Sequence, residues 1–171
     1  GSCMKNHKYI MKTDKPAMMD LESLDQLKNI TIAPYMQLAT ALIGKRRKYG
    51  GNMFRHQIDT LGILIDYGYI DPILLKASLV HDTIEDIPGF DQNSMINADS
   101  DGPEVHSLVL EVSKREGEKK PDFLKRIIDT GSQRAKILKC ADRISNMISL
   151  GYIAEREFIS RYCDETEFYI L

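Results

Sequence analysis

The sequence predicts an all-α fold, a single compact helical bundle, on three observations. No alternating strand pattern persists anywhere along the chain. Apolar residues instead recur at helical spacing in successive segments. Between those segments stand Gly, Pro and Asn/Asp breaks of the kind that start and stop helices. A length of 171 residues, 43% hydrophobic and 28% charged, suits one soluble domain with a substantial core and leaves little room for two.

Taken in order, Gly1-Ser2 reads as a cloning remnant, and residues 1–17, Lys-rich and carrying Pro16, read as a flexible tail ahead of a domain over 18–171. Ala33 to Lys48 is expected as the first long helix, with Pro34 in its first turn, and "RKYGGN" breaks it. Met53 to Tyr67 follows, with Phe54, Ile58, Leu61 and Ile65 on one stripe, Ile63 and Leu64 beside it, and Gly68 as its stop. Asp71-Pro72 is an N-cap followed by proline at the first helical position. From Ile73 to Val80 only Lys76 and Ser78 are polar, so that helix belongs inside the domain.

"PGFDQNSMINADSDGP" reads as loop with one short helix, Glu104 to Val112 as helix, and "SKREGEKKP" as an exposed charged connection. Asp122 to Asp129 is helical, and Gly131 and Ser132 end it and start another that runs to about Leu150. The last helix is expected over Ala154 to Ile170, and its closing apolar run "FYIL" reads as if a longer chain continued.

A net charge of -2 argues against a broad nucleic-acid or anionic-membrane surface. There is no apolar stretch of roughly 18 residues and no secretory leader pattern, so a cytoplasmic location is the default. Cys3, Cys140 and Cys163 are odd in number and lack CxxC spacing, which predicts neither a disulfide framework nor a zinc knuckle.

The chemistry gathers in "ASLVHDTIEDIP", residues 77–88, where an apolar run ends in His81, Asp82, Glu85 and Asp86. If helical geometry persists, His81 pairs with Glu85 and Asp82 with Asp86 on common faces. Crowded carboxylates raise one another's pKa, and a divalent cation removes the conflict by favouring ionised acids and neutral imidazole. His56, on a largely apolar helix, and Asp142, beside the pattern Ile137, Ala141, Ile144, Ile148, complete a mixed nitrogen and oxygen set. Such a set suits manganese or iron, with zinc or magnesium as replacements. Each member also has a plainer reading: a hydrogen-bonded core histidine, a solvated helix end, or a salt bridge from Asp142 to Arg143 or Lys139.

A His, a His-Asp pair and a distant Asp in this order resemble the HD superfamily of metal-dependent phosphohydrolases. "ASLVHDTIEDIP", with "RRKYG" before His56 and "ILKCADRISNM" around Asp142, is similar to its RelA/SpoT-type alarmone hydrolases. The resemblance covers about residues 35–170. It implies an all-helical domain binding one Mn²⁺ and hydrolysing the 3′-pyrophosphate of guanosine tetra- or pentaphosphate. Small stand-alone members, of the metazoan SpoT-homologue type, also remove the 2′-phosphate of NADPH. By the same resemblance His56, His81, Asp82 and Asp142 would hold the metal, and Glu85 and Asp86 would position and activate the attacking water. Arg47 and Lys48 would meet base or phosphates, Asn146 the ribose or a phosphate, and Lys120 a phosphate.

The chain departs from the family where substrate contacts are expected. Gly51, Asn52 and Met53 stand where Glu-Pro-Tyr is usual, Gln57 where Pro follows the first His, and Ile148 where an Arg follows the Asn by two. Another nucleotide substrate, or a nucleotide sensor without turnover, therefore remains open beside the alarmone reading. A two-metal cyclic-dinucleotide site would need more histidines, and only His7 and His106 are left. No synthetase module is expected within this domain.

Overall fold

A computed structural model describes residues 19–48, 50–150 and 156–170. The expected tail with His7, and the first two residues of the expected last helix, lie outside the described residues. The described residues are all helical apart from turns and one isolated antiparallel bridge, Arg46 to Asn52, and no β-strand occurs among them.

The first helix among the described residues, α1 (Leu21–Asn29), was not foreseen; Asp20 caps it by accepting from the Ser23 amide at 2.7 Å. α2 (Ala33–Ala39) carries Pro34 in its first turn but stops well short of Lys48, passing into a single 3-10 turn over Thr40–Leu42. The Thr40 hydroxyl donates to the Gln37 carbonyl at 2.6 Å, drawing the chain out of α-helical pairing. The stretch that follows folds back on itself: Arg47 N donates to Gly51 O at 3.1 Å, and Gly50 and Gly51 take φ of 86° and 80°. Those two left-handed positions favour glycine, so the chain reverses at Gly50 and Gly51 rather than ending a helix there.

α3 (Met53–Asp66) and α4 (Pro72–Val80) form as expected, with Gly68 left-handed after α3 and Asp71 capping α4 through the Leu74 amide. Every residue of α4 from Ile73 to Val80 is buried, and α2, α3, α7 and α9 pack around it. Lys76 is no exception; its ammonium lies 2.7 Å from both Asp99 and Asp101, and the Tyr35 hydroxyl donates to Asp99 at 2.5 Å.

The chain then breaks at His81-Asp82 and makes one further turn, α5 (Thr83–Asp86), followed by α6 (Gln92–Ile96), the short helix anticipated in the loop. α7 (Gly102–Val112), α8 (Lys120–Thr130), α9 (Gln133–Ser149) and α10 (Arg156–Tyr169) complete the bundle. Ser132 caps α9 as read from sequence, whereas Lys120, expected in the charged connection, is the first residue of α8.

Two buried faces differ from the expected ones. α3 buries Met53, His56, Gln57, Thr60, Leu61 and Leu64, while Ile58 is exposed. α9 buries Leu138, Asp142, Arg143, Ser145, Asn146 and Ser149, while Ile148 points outward at 67% exposure. In both helices, polar residues share the interior with Leu61, Leu64, Leu138 and Ala141, while Ile58 and Ile148 lie outside. Cys140 is a free thiol, its acidity lowered by burial.

Candidate metal centre

Asn52 starts α3. Its side-chain oxygen accepts from the Phe54 and Arg55 amides, and its amide nitrogen donates to the Ile43 carbonyl. This anchors the helix to the reverse turn and sets His56 one turn inside, with no exposed surface. His56 Nδ1 lies 2.8 Å from the Ser145 hydroxyl, and Nε2 lies 2.7 Å from Asp142 Oδ1. Across the seam, His81 ends α4 and its Nδ1 donates to the Ser78 carbonyl at 2.7 Å. That bond leaves His81 Nε2 facing Asp142 Oδ1 and Asp82 Oδ2, each at 3.3 Å. Asp82 Oδ2 is also 3.5 Å from His56 Nε2.

His56, His81, Asp82 and Asp142 thus each present one atom within 4.8 Å of the others. Whether they fit a cation is a question of donor chemistry. Both imidazoles have Nδ1 engaged by an outer partner and turn Nε2 inward, the usual support of a metal-ligating histidine. Asp142 turns Oδ1 inward because Lys139 holds Oδ2 at 2.9 Å. Two imidazole nitrogens and two single carboxylate oxygens suit a divalent ion of the manganese or iron type. The residues fit.

The protonation states carry the strain expected of such a cluster. Burial would raise the Asp142 carboxyl, but Lys139 and the bonds to both histidines outweigh it and hold it well below the usual range. Burial lowers His56, and Asp142 and Asp82 do not fully offset it. In His81 burial also acts downward, yet Asp82 and Asp142 prevail and push it up to about 9.

Glu85 and Asp86 lie beside this group; each can bring an oxygen within 4.8 Å of one on Asp82. Burial, then Asp82 and Glu85, push Asp86 up to about 6, and burial chiefly raises Glu85. The backbone N–H of Lys114 donates to Glu85, tying it to the loop after α7. One residue away, Ile84 and Lys114 line an open cleft of about 430 Å³ between α5, α7 and α8.

Three of the four expected substrate contacts converge on a second cluster. Arg47 donates to Asn146 Oδ1, and Asn146 Nδ2 donates to the Tyr162 hydroxyl at 2.7 Å. The Lys120 ammonium stands 5.1 Å from the centre of the Tyr162 ring, and 2.8 Å from Glu165. Lys48, by contrast, is exposed and has no place among the described contacts of this cluster. His106 bonds Gln92 at 2.7 Å, away from the centre.

Arg143 does not pair with Asp142. Its guanidinium stacks 4.0 Å from the Tyr162 ring centre and bonds Glu165 and Thr166, leaving Lys139 as the partner of Asp142. Gln57, Ser145 and Tyr162 were missed. For Gln57 the signal was a second polar residue next to His56 on a helix read as apolar, and for Ser145 a hydroxyl three positions after Asp142. Tyr162 had no local signal. No family model matches this chain, and no curated protein matches it.

Proposed function

We propose that this chain is a metal-dependent phosphohydrolase of the RelA/SpoT type, using one Mn²⁺ to hydrolyse the 3′-pyrophosphate of guanosine tetra- or pentaphosphate. Water is consumed, and guanosine di- or triphosphate and pyrophosphate are released. One observation carries the reading: four side chains from α3, the α4–α5 corner and α9 meet at one point, with two further carboxylates alongside.

In this reading His56, His81, Asp82 and Asp142 hold the ion. When bound, the ion supplies positive charge against the phosphoryl oxygens and acidifies a water. Glu85 and Asp86 are the adjacent carboxylates left free of ligand duty, so they orient the attacking water and accept its proton. The Lys114 N–H fixes one oxygen of Glu85. Arg47 and Lys120 neutralise phosphate charge, and Asn146 takes a ribose or phosphate oxygen. Such positioning and charge stabilisation is most of what phosphoryl transfer asks of a protein. The cytoplasm, where free nucleotides are abundant, is the compartment this activity requires.

A second reading keeps the chemistry and changes the substrate to another nucleotide, such as NADPH cleaved at its 2′-phosphate. The feature favouring it is the altered run "GGNMFRHQ", together with an exposed Ile148 where the resemblance would place an arginine. Manganese-loaded protein should be incubated with guanosine tetraphosphate or NADPH, the products resolved by chromatography, beside the double variant Glu85→Gln Asp86→Asn. Guanosine diphosphate and pyrophosphate from the native chain alone support the first reading, and faster cleavage of NADPH supports the second. Nucleotide binding without cleavage of either overturns both in favour of a sensor.

A further inference from the structure

We propose that Gln57 is a positioning residue for the metal centre, locking Asp82 so that one carboxylate oxygen faces the two imidazoles. The inference rests on the reading of His56, His81, Asp82 and Asp142 as metal ligands. Gln57 is fully buried next to His56 on α3. Its amide nitrogen donates to Asp82 Oδ2 at 2.7 Å, and its carbonyl oxygen accepts from the Asp82 backbone N–H at 3.4 Å. A single side chain thereby grips both the main chain and the carboxylate of one residue.

The grip is placed where freedom would do harm. Asp82 sits at the break between α4 and α5, outside either helix, and its side chain is only partly buried. It also belongs to two groups: the ligand set, and a separate set with Glu85 and Asp86. An untethered Asp82 could swing toward either. Oδ2, the oxygen that receives the Gln57 amide, is the one 3.3 Å from His81 Nε2 and 3.5 Å from His56 Nε2. Gln57 thus assigns Asp82 to the histidines and leaves Glu85 and Asp86 for other work.

Asp142 is steered differently: its outer partner takes the oxygen turned away from the imidazoles, whereas Gln57 shares the Asp82 oxygen that faces them. Lys139 takes its Oδ2 and leaves Oδ1 to the imidazoles. One ligand is steered by a cation and the other by a neutral amide. A second lysine at position 57 would cancel the second ligand charge, whereas an amide orients without cancelling. Outer partners of this kind typically change metal affinity by about 10- to 100-fold.

The test is Mn²⁺ titration read from the magnetic resonance signal of free Mn²⁺, with thermal unfolding measured with and without the ion. Gln57→Leu removes both bonds at similar volume. Gln57→Glu keeps the acceptor for the Asp82 N–H, loses the donor and adds a negative charge beside Oδ2. The native chain is expected to bind one ion, and Gln57→Leu to bind it about 10- to 100-fold more weakly with a smaller metal-induced rise in Tm. Gln57→Glu is expected to melt earlier without metal and to gain more from it than the native chain does. A merely structural role would shift the melting of both variants and leave the metal-induced increment alone.

A folded Gln57→Leu chain with native Mn²⁺ affinity overturns the inference and leaves the centre standing. If that variant does not fold, Gln57→Glu decides, and a metal increment equal to the native one overturns the inference. A native chain that binds no Mn²⁺ removes the metal reading itself and the inference with it.

Discussion

Replacing Asp142 with asparagine should separate the stability of the centre from its chemistry. The carboxylate meets three groups: His56 Nε2 at 2.7 Å, His81 Nε2 at 3.3 Å and Lys139 Nζ at 2.9 Å. An amide cannot serve all three. With its oxygen toward the imidazoles, its N–H groups oppose the Lys139 ammonium; turned over, it presents N–H where a ligand oxygen is needed. The gross attraction lost between unit charges 2.9 Å apart is about 6 kcal/mol at an effective dielectric of about 20. Relief of repulsion between Asp142 and Asp82 offsets part of it, so the net cost should fall at or below the ~3–5 kcal/mol typical of a broken buried pair. For a chain of this size that is a Tm lower by up to about 20 °C without metal. With Mn²⁺ the native chain should gain stability and Asp142→Asn little. The variant's kcat/KM should fall by about 10³ or more, equivalent to some 4 kcal/mol of lost transition-state stabilisation. Calorimetry with and without Mn²⁺, metal analysis and turnover read these separately. Full metal occupancy with turnover within tenfold of native would refute the assignment of Asp142 as a ligand.

Two further predictions concern the frame around the centre. Lys76→Met leaves Asp99 and Asp101 without their buried cation and should cost about 3–5 kcal/mol in denaturant unfolding, with Mn²⁺ affinity of the folded fraction unchanged; a cost below about 1 kcal/mol would mean that solvent screens the pair. Hydrogen bonds from Arg126 pull Glu118 down to about 2, below its ordinary carboxylate range. A lowered folded pKa stabilises the native state above the unfolded value near ~4.3 and loses that contribution as pH falls toward about 2. After solvent screening the contribution is about 1–2 kcal/mol, so Glu118→Gln should be less stable than native by that amount at pH 7 and indistinguishable from it near pH 2. A stability gap that stays constant across that pH range, in urea titrations, would contradict the attribution to charge.

Some of this was legible in the sequence because local rules and burial agree. α4 has apolar residues on all sides and an Asp-Pro start, and nothing in the fold competes with that signal. Ser132 and Gly68 are likewise local signals with local causes. The helix read over Ala33 to Lys48 failed because a hydroxyl at Thr40 and two left-handed glycines outweigh good helix formers between them. The stripes on α3 and α9 held only in part, burying Leu61 and Ala141 but not Ile58 or Ile148, and for a different reason. An apolar stripe predicts the buried face only when the core is apolar there, and at this seam it is not. Ile58 and Ile148 yield the inside to Gln57 and Ser145, which have partners waiting across the interface. The four residues that the fold brings together were singled out from residue type and order; their neighbours Gln57, Ser145 and Tyr162 were not, because they act through contacts made only in the folded chain.

That polar seam bears on why the proposed ligands meet at one register. Hydroxyls along it settle much of their demand locally: Thr60 donates to the His56 carbonyl at 2.8 Å and Ser149 to the Ser145 carbonyl at 3.1 Å. What remains to be matched between α3 and α9 is His56 against Asp142 and Ser145, two bonds from one ring to residues nearly a turn apart. Sliding α9 by a turn, about 5.4 Å, would set Leu138 or Asn146 against the imidazole and leave a buried carboxylate without its partner. An unmatched buried polar group costs roughly 1–3 kcal/mol and an unmatched charge more. The seam therefore excludes neighbouring registers more strongly than an apolar interface would, since apolar surfaces tolerate small slides. The same bonds that select one packing of α3 on α9 also bring Asp142 to His56 and His81. A variant that weakens the bundle elsewhere, such as Lys76→Met, should accordingly lower stability without loosening the site. One that loosens the seam, such as Asp142→Asn, should do both.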